Sequence, residues 1–309
     1  MKMSVLKCLS LGFVLVILVF VSGNSIQNRD VAALEMCFPN GKMKALILSY
    51  DDGRVQDRQL VALMNKYHLI GTFHLNSNKL DQPDYLTKSE IKQLFSGHEV
   101  SIHSANHPGL TSLSKEELID EIVLDQRELE RLVGYKVDGM AYPFGDYNEQ
   151  VLEEVKNLSI QYARTVKDSY HFDIPSSFLE WHPTIHQFAK AYWKPNDPQN
   201  DQKELSIFYD LIDKFLATEK LAVMDIWGHS WEMGDPEKWA ETEKFFKLLS
   251  GQKVLHYTSH IDFVIYLNAY KQLSYNPAAN TVQNPTKVTL FFKRKGKVHQ
   301  IKPGATLLF

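Results

Sequence analysis

Two carboxylates stand side by side in Asp51-Asp52-Gly53, directly after the apolar run 45–50 (ALILSY). Adjacent carboxylates oppose each other's ionisation unless a cation or a proton lies between them. One can ligate a metal while the other acts as base toward a water on that metal. Alone, Asp-Asp-Gly is equally an ordinary surface turn. His103-x-x-x-His107 follows the stretch 99–102 and lets two imidazoles face one cation if the loop turns helically. The chain has 12 histidines, and the same spacing recurs at His182/His186 and His256/His260. Context selects the first pair: it follows a strand end, as Asp52 does, and Pro108-Gly109 then breaks the chain. The last pair sits between a strand and a helix and reads as structural. One Asp and two His with open positions suit Zn2+, with Co2+ or Ni2+ as alternatives. A Pro-aromatic-Gly turn at Tyr142-Pro143-Phe144-Gly145 can aim a backbone N–H into a cleft as an oxyanion donor. His229 closes the run 224–229 (MDIWGH) and could protonate a leaving group. A lone histidine there is more often structural.

These residues need strand ends to hold them. Short apolar runs at 45–50, 72–75, 99–102, 137–141, 160–165 and 221–227 predict strands. Helical patterns alternate with them at 55–67, 149–158, 205–216, 237–249 and 261–273. Thr87-x-x-Glu90 and Ser114-x-x-Glu117 are capping boxes, the first opening a short helix and the second a long one to about residue 132. Such alternation means a parallel sheet covered by helices, with a barrel as its closure. Chemistry in such folds sits at the carboxyl ends of the strands. The tail differs: 276–284 is polar and turn-rich, and 287–292, 297–301 and 306–309 read as short strands forming a small β appendage.

Bulk properties exclude some functions. Lys+Arg number 34 against Asp+Glu 37, a net charge of −3 over 309 residues, so there is no basic footprint for nucleic acid. Lys2 and Lys7 precede an apolar run from 9 to 21, and Ser22, Gly23 and Ser25 follow. The run is short for a membrane span of about 20 residues, and the pattern reads as a secretory signal peptide over 1–24. The alternative is an uncleaved anchor, which would be the chain's one link to a membrane. Cleavage would remove Cys8 and leave Cys37 alone, with no internal disulfide possible. The expected place of work is the periplasm or the extracellular space.

The ordered set of Asp-Asp-Gly, His-x-x-x-His, Pro-aromatic-Gly and a late strand-end His resembles the polysaccharide deacetylase family (NodB-like, carbohydrate esterase family 4). The likeness runs from about residue 45 to 273. Ser49-Tyr50-Asp51-Asp52-Gly53 resembles the family's Thr-Phe-Asp-Asp-Gly, and His103-Ser104-Ala105-Asn106-His107 its His-Ser/Thr-x-x-His. Gly71-Thr72-Phe73 is similar to its Ala-Thr-Phe. The resemblance implies a distorted, incomplete (β/α)7-type barrel over 25–275, followed by the extension 276–309. It implies Asp51 as general base, and Asp52, His103 and His107 as metal ligands. It also implies the Phe144 N–H as oxyanion donor and His229 as general acid. The family's third motif usually carries an Arg where Ala141 stands; Arg164, at the next strand end, could reach Asp51 instead. The family's fourth motif has no clear counterpart. Trp181 is expected to wall an acetyl pocket, and His182 or His186 to contact substrate or support His229. Tyr142, Trp181, His186 and Trp227 are the candidate substrate-binding residues.

The reading is a metal-dependent hydrolase removing acetyl groups from an N-acetylglucosamine-type glycan, with no obligate protein partner. Two alternatives stand beside it: an O-acetyl esterase on a polysaccharide such as xylan, and a non-catalytic glycan-binding protein on the same fold.

Overall fold

The apolar run that leads into Asp51 becomes the central strand of the molecule. The structure is a computed structural model that describes residues 34–188 and 198–309. The leader expected over 1–24 lies outside the described residues. The first half of the chain gives β1 (Glu35–Cys37), β2 (Lys44–Asp51), α1 (Asp57–Lys66), β3 (Thr72–Leu75), α2 (Ile91–Leu94), β4 (Glu99–Ile102), α3 (Lys115–Val133), β5 (Gly139–Ala141), α4 (Glu149–Asn157) and β6 (Tyr162–Arg164). The second half gives β7 (Ile185–His186), α5 (Pro198–Ala217), β8 (Ala222–His229), α6 (Pro236–Leu249), β9 (Leu255–Tyr257) and α7 (His260–Tyr270). Five short strands follow: β10 (Ser274–Asn276), β11 (Thr281–Gln283), β12 (Leu290–Arg294), β13 (Lys297–Ile301) and β14 (Thr306–Leu308). Among the described residues no helix is long and apolar enough to cross a membrane.

Seven strands pair in the order β6-β5-β4-β3-β2-β8-β7, all parallel, and β9 pairs with β2 beside this path. A parallel strand covered on both faces must be apolar along its whole length. All of β2 is buried accordingly. Leu46, Leu48 and Tyr50 pack outward into the core under the helices, while Ala45 and Ile47 pack into an inner core. The period of two therefore turns Asp51 inward as well. The barrel is distorted, and residues 181–187 bridge its open side. Trp181 pairs with β6 through Thr165 N–H to Trp181 O at 2.8 Å, and Gln187 N–H then reaches Trp227 O of β8 at 2.7 Å.

Capping explains the helix limits only in part. Ser114 Oγ accepts the Glu117 N–H, and the Glu117 carboxylate accepts the Ser114 N–H at 2.9 Å, closing the box that opens α3. Gly134, at φ 84°, stops the same helix. The Thr87 box does not open a helix. Glu90 does reach back to the Thr87 N–H at 2.6 Å, but α2 starts one turn later and is a single turn long.

The tail is more ordered than its composition suggests. The stretch expected to be only turn-rich contains β11, which pairs antiparallel with β10 and β14. A second small sheet, β1-β12-β13, joins the start of the described chain to the tail. Val282, Leu290, Phe292 and Ile301 of these sheets share the inner core with Phe263, Val264 and Leu267 of α7 and with Ala45, Ile47 and Val223 of the barrel.

Candidate active site

Asp52 follows the last residue of β2, at φ 85°. His103 and His107 lie on the loop after β4, where Ser104 and His107 also take positive φ. This backbone folds both rings onto Asp52: its Oδ1 lies 3.6 Å from His103 Nε2 and 3.7 Å from His107 Nε2. These separations are long for hydrogen bonds. They suit neighbouring ligands around an ion whose bonds are about 2.0–2.1 Å. Two of the remaining polar atoms are already engaged. His103 Nδ1 donates to Ala141 O at 2.8 Å, which leaves Nε2 bare, and Asp52 Oδ2 accepts from Trp231 Nε1 at 2.8 Å. Burial first, then the neighbouring His103, pushes His107 down to about 4, so its imidazole is neutral as ligation requires. The donor set fits a divalent metal.

Asp125 steadies this loop. It interrupts the apolar stripe of α3, and its carboxylate accepts the His103 N–H at 2.9 Å and the Ser77 N–H at 2.7 Å. Burial pushes it up to about 7. A carboxylate amid Leu118, Ile122 and Leu129 was the signal that could have revealed it.

Asp51 sits beside the triad, 2% exposed. Its Oδ2 pairs with Arg164 Nη2, its Oδ1 contacts His74 Nδ1 at 2.9 Å, and His103 Nε2 stands 4.0 Å from Oδ2. Burial alone would raise its pKa. Arg164 foremost, then His103 and His74, outweigh burial and hold the carboxyl well below its usual range. Arg164 is itself fully buried, with its guanidinium 4.5 Å over the Trp227 ring. It reaches Asp51 from the neighbouring strand end while Ala141 offers only its carbonyl.

His229 faces this centre at the end of β8. Its Nδ1 lies 3.2 Å from Glu232 Oε1, and the other oxygen of Glu232 accepts the His229 N–H at 3.0 Å and meets His186 Nε2 at 2.9 Å. Burial works against the charged imidazolium, but Glu232, then Asp52 and Asp51, push His229 up to about 9. Trp231 connects the two halves, with its ring centroid 5.0 Å from that of His229 and its N–H on Asp52.

A model of the polysaccharide deacetylase family matches residues 39–163. Over this stretch the chain is a member of the polysaccharide deacetylase family. The peptidoglycan-N-acetylglucosamine deacetylase PgdA of Listeria monocytogenes is 29% identical over 127 residues, 40% of this chain and 27% of that protein. The peptidoglycan-N-acetylmuramic acid deacetylase PdaC of Bacillus subtilis is 30% identical over 115 residues, 37% of this chain and 24% of that protein. The chain thus spans about a quarter of the length of these curated relatives. A putative polysaccharide deacetylase from Mycobacterium smegmatis shares the fold at a TM-score of 0.59 and 14% identity, covering 77% of this chain and 94% of that one. The family match takes in Asp51, the Asp52-His103-His107 triad and the Phe144 turn. It stops one residue short of Arg164, and His229 and Glu232 lie beyond it.

The structure places most of the expected substrate contacts away from the open face of the barrel. Trp181 does not wall a pocket: it is 1% exposed and packs in the inner core against His260 and Phe263, with centroids 4.7 and 5.4 Å away. Its backbone pairing with β6 turns the ring inward. Tyr142 is also 1% exposed, stacked on Tyr147 with its hydroxyl on Leu179 O at 2.9 Å. Trp227 supports Arg164 from below and donates to Asp168 at 2.9 Å. His186 stacks on Trp227 behind His229 and braces Glu232. Of the four, Trp227 and His186 stand behind the site, against Arg164 and Glu232; its open face carries Phe144, His107, Trp231 and His229. Phe144 is 67% exposed, at φ 58°, with its ring against His107. The other histidine pairs lie apart from the Asp52-His103-His107 triad. His182 meets Thr165 at 2.7 Å, His256 stacks on Phe38, and His260 is fully buried.

Proposed function

We propose that the protein is an exported, metal-dependent deacetylase that hydrolyses the acetamide of N-acetylglucosamine-type sugars in a glycan. One observation carries this reading. Asp52, His103 and His107 converge at ligand spacing beside Asp51, which Arg164 clamps, and beside His229, which Glu232 pairs. Zn2+ suits the donors best, with Co2+ or Ni2+ able to replace it. A bound ion would polarise the acetyl carbonyl and acidify water. Asp51 takes the proton of the attacking water, with Arg164 fixing one of its oxygens. The Phe144 N–H donates to the oxygen that gains charge in the transition state. His229, charged at neutral pH, gives its proton to the departing amine. The relatives' activity on amino sugars of peptidoglycan supports amide over ester acetyl groups as the target.

The test joins metal content with acetate release from N-acetylglucosamine oligomers and from acetylated xylan. Asp52→Ala should lose both metal and turnover. Asp51→Asn should keep the metal and lose about 10²–10⁴ in kcat. Full activity in metal-stripped protein, or release from the xylan ester alone, would refute the reading.

A further inference from the structure

The strand register that sets Asp51 opposite His229 brings one more residue to the site. Asp52 and the turn Ser230–Met233 leave neighbouring strand ends together, each starting one residue past that pair. Ser230, Glu232 and Met233 of the turn are buried, and Trp231 alone among them is partly exposed. Glu232 ties the turn down: its Oε2 accepts the His229 N–H at 3.0 Å and meets His186 Nε2 at 2.9 Å. The indole N–H of Trp231 then reaches Asp52 Oδ2 at 2.8 Å, and its ring lies tilted by 32° against that of His229. An indole nitrogen can only donate, so this contact has one direction whatever the protonation of its neighbours.

The two oxygens of Asp52 are thereby given different work. Oδ1 lies 3.6 Å from His103 Nε2 and 3.7 Å from His107 Nε2, while Oδ2 carries the indole N–H. Turning the carboxylate to bring Oδ2 toward the imidazoles would break that hydrogen bond. The backbone is pinned as well, because the Asp52 N–H is held on His74 O at 3.0 Å. Zinc sites that do chemistry use three protein donors and keep the next position open. A carboxylate that supplied both oxygens would fill that position.

We propose that Trp231 is a positioning residue for Asp52: its N–H holds Oδ2 back and leaves Oδ1 as the single donor, so that a coordination position stays open for water and substrate. This rests on the metal-centred reading of the site. Because the same ring packs against His229, one side chain sets both the donor that Asp52 presents and the neighbour that His229 meets.

The test uses full-length protein with benzothienylalanine in place of Trp231, a side chain of the same shape with sulfur where the N–H stood. Trp231→Phe is the second variant. Zinc affinity, read by competition with a chromogenic chelator, should fall about 10–100-fold in both. The visible bands of the cobalt-loaded variants should weaken, as they do when a four-coordinate ion gains a ligand. Acetate release at saturating zinc should stay about 10–100-fold below wild type in both. A wild-type zinc affinity, a wild-type cobalt spectrum or full turnover in the benzothienylalanine protein overturns the proposal. A loss confined to Trp231→Phe is that same outcome, since it assigns the effect to ring packing. If the wild type binds zinc yet releases no acetate from any substrate, the deacetylase reading fails while affinity and spectrum still decide the role of Trp231.

Discussion

His229 shows how a single side chain is prepared for its chemistry. Burial would discharge it, and Glu232, itself held down to about 2, keeps it charged. The sign follows: His229 can donate below about 9 and loses that capacity above it, so kcat/KM should fall on the alkaline side. Glu232→Gln removes the anion but not the burial. Its alkaline limb should therefore move to lower pH, as a pH–rate profile would show; an unmoved limb would separate Glu232 from the acid. The residues singled out in the sequence stand at or just past strand ends, and folding brings them together: Asp51, Asp52, His103, His107, Arg164 and His229. His74, Asp125 and Glu232 were not legible there, because each acts on a partner brought near only by folding. Trp181 and Tyr142 stand beside motifs, yet both rings turn into the interior.

At the scale of elements, the strands are short and their spacing depends on single side chains. Gly139 stands opposite Tyr162 in the β5–β6 register, and a Cβ there would lie 2.0 Å from the phenol ring. Gly139→Ala should therefore cost about 1–3 kcal/mol of stability in urea melts, the usual price of overpacking. The long strands and capped helices were visible in the sequence because apolar periodicity and a capping box are local signals. The two-residue β7 and the half-exposed β11 were hidden, because only their neighbours make them strands. The positive φ at Asp52, His107 and Phe144 also lay outside any pattern, and these turns aim the site.

At the scale of the molecule, the β appendage expected at the tail does more than lie on the barrel. The tail strands and α7 fill the inner core, with Val282, Leu290, Phe292 and Ile301 all fully buried. Four such side chains together are worth about 6–12 kcal/mol at roughly 1.5–3 each. That is comparable with the whole stability of a typical domain, about 5–15 kcal/mol. A chain ending at Asn276 should accordingly lose its cooperative urea transition; an intact transition would make the tail an accessory. Composition could not show this, because the tail's few apolar residues gain their meaning from the barrel they enter. The pairing of Met36 with Phe292 carries a consequence for assembly. That strand pair closes across nearly the whole described sequence, and such distant contacts form slowly. During synthesis β1 has no partner until β12 has left the ribosome. The barrel can gather first, while its floor remains the last part to close.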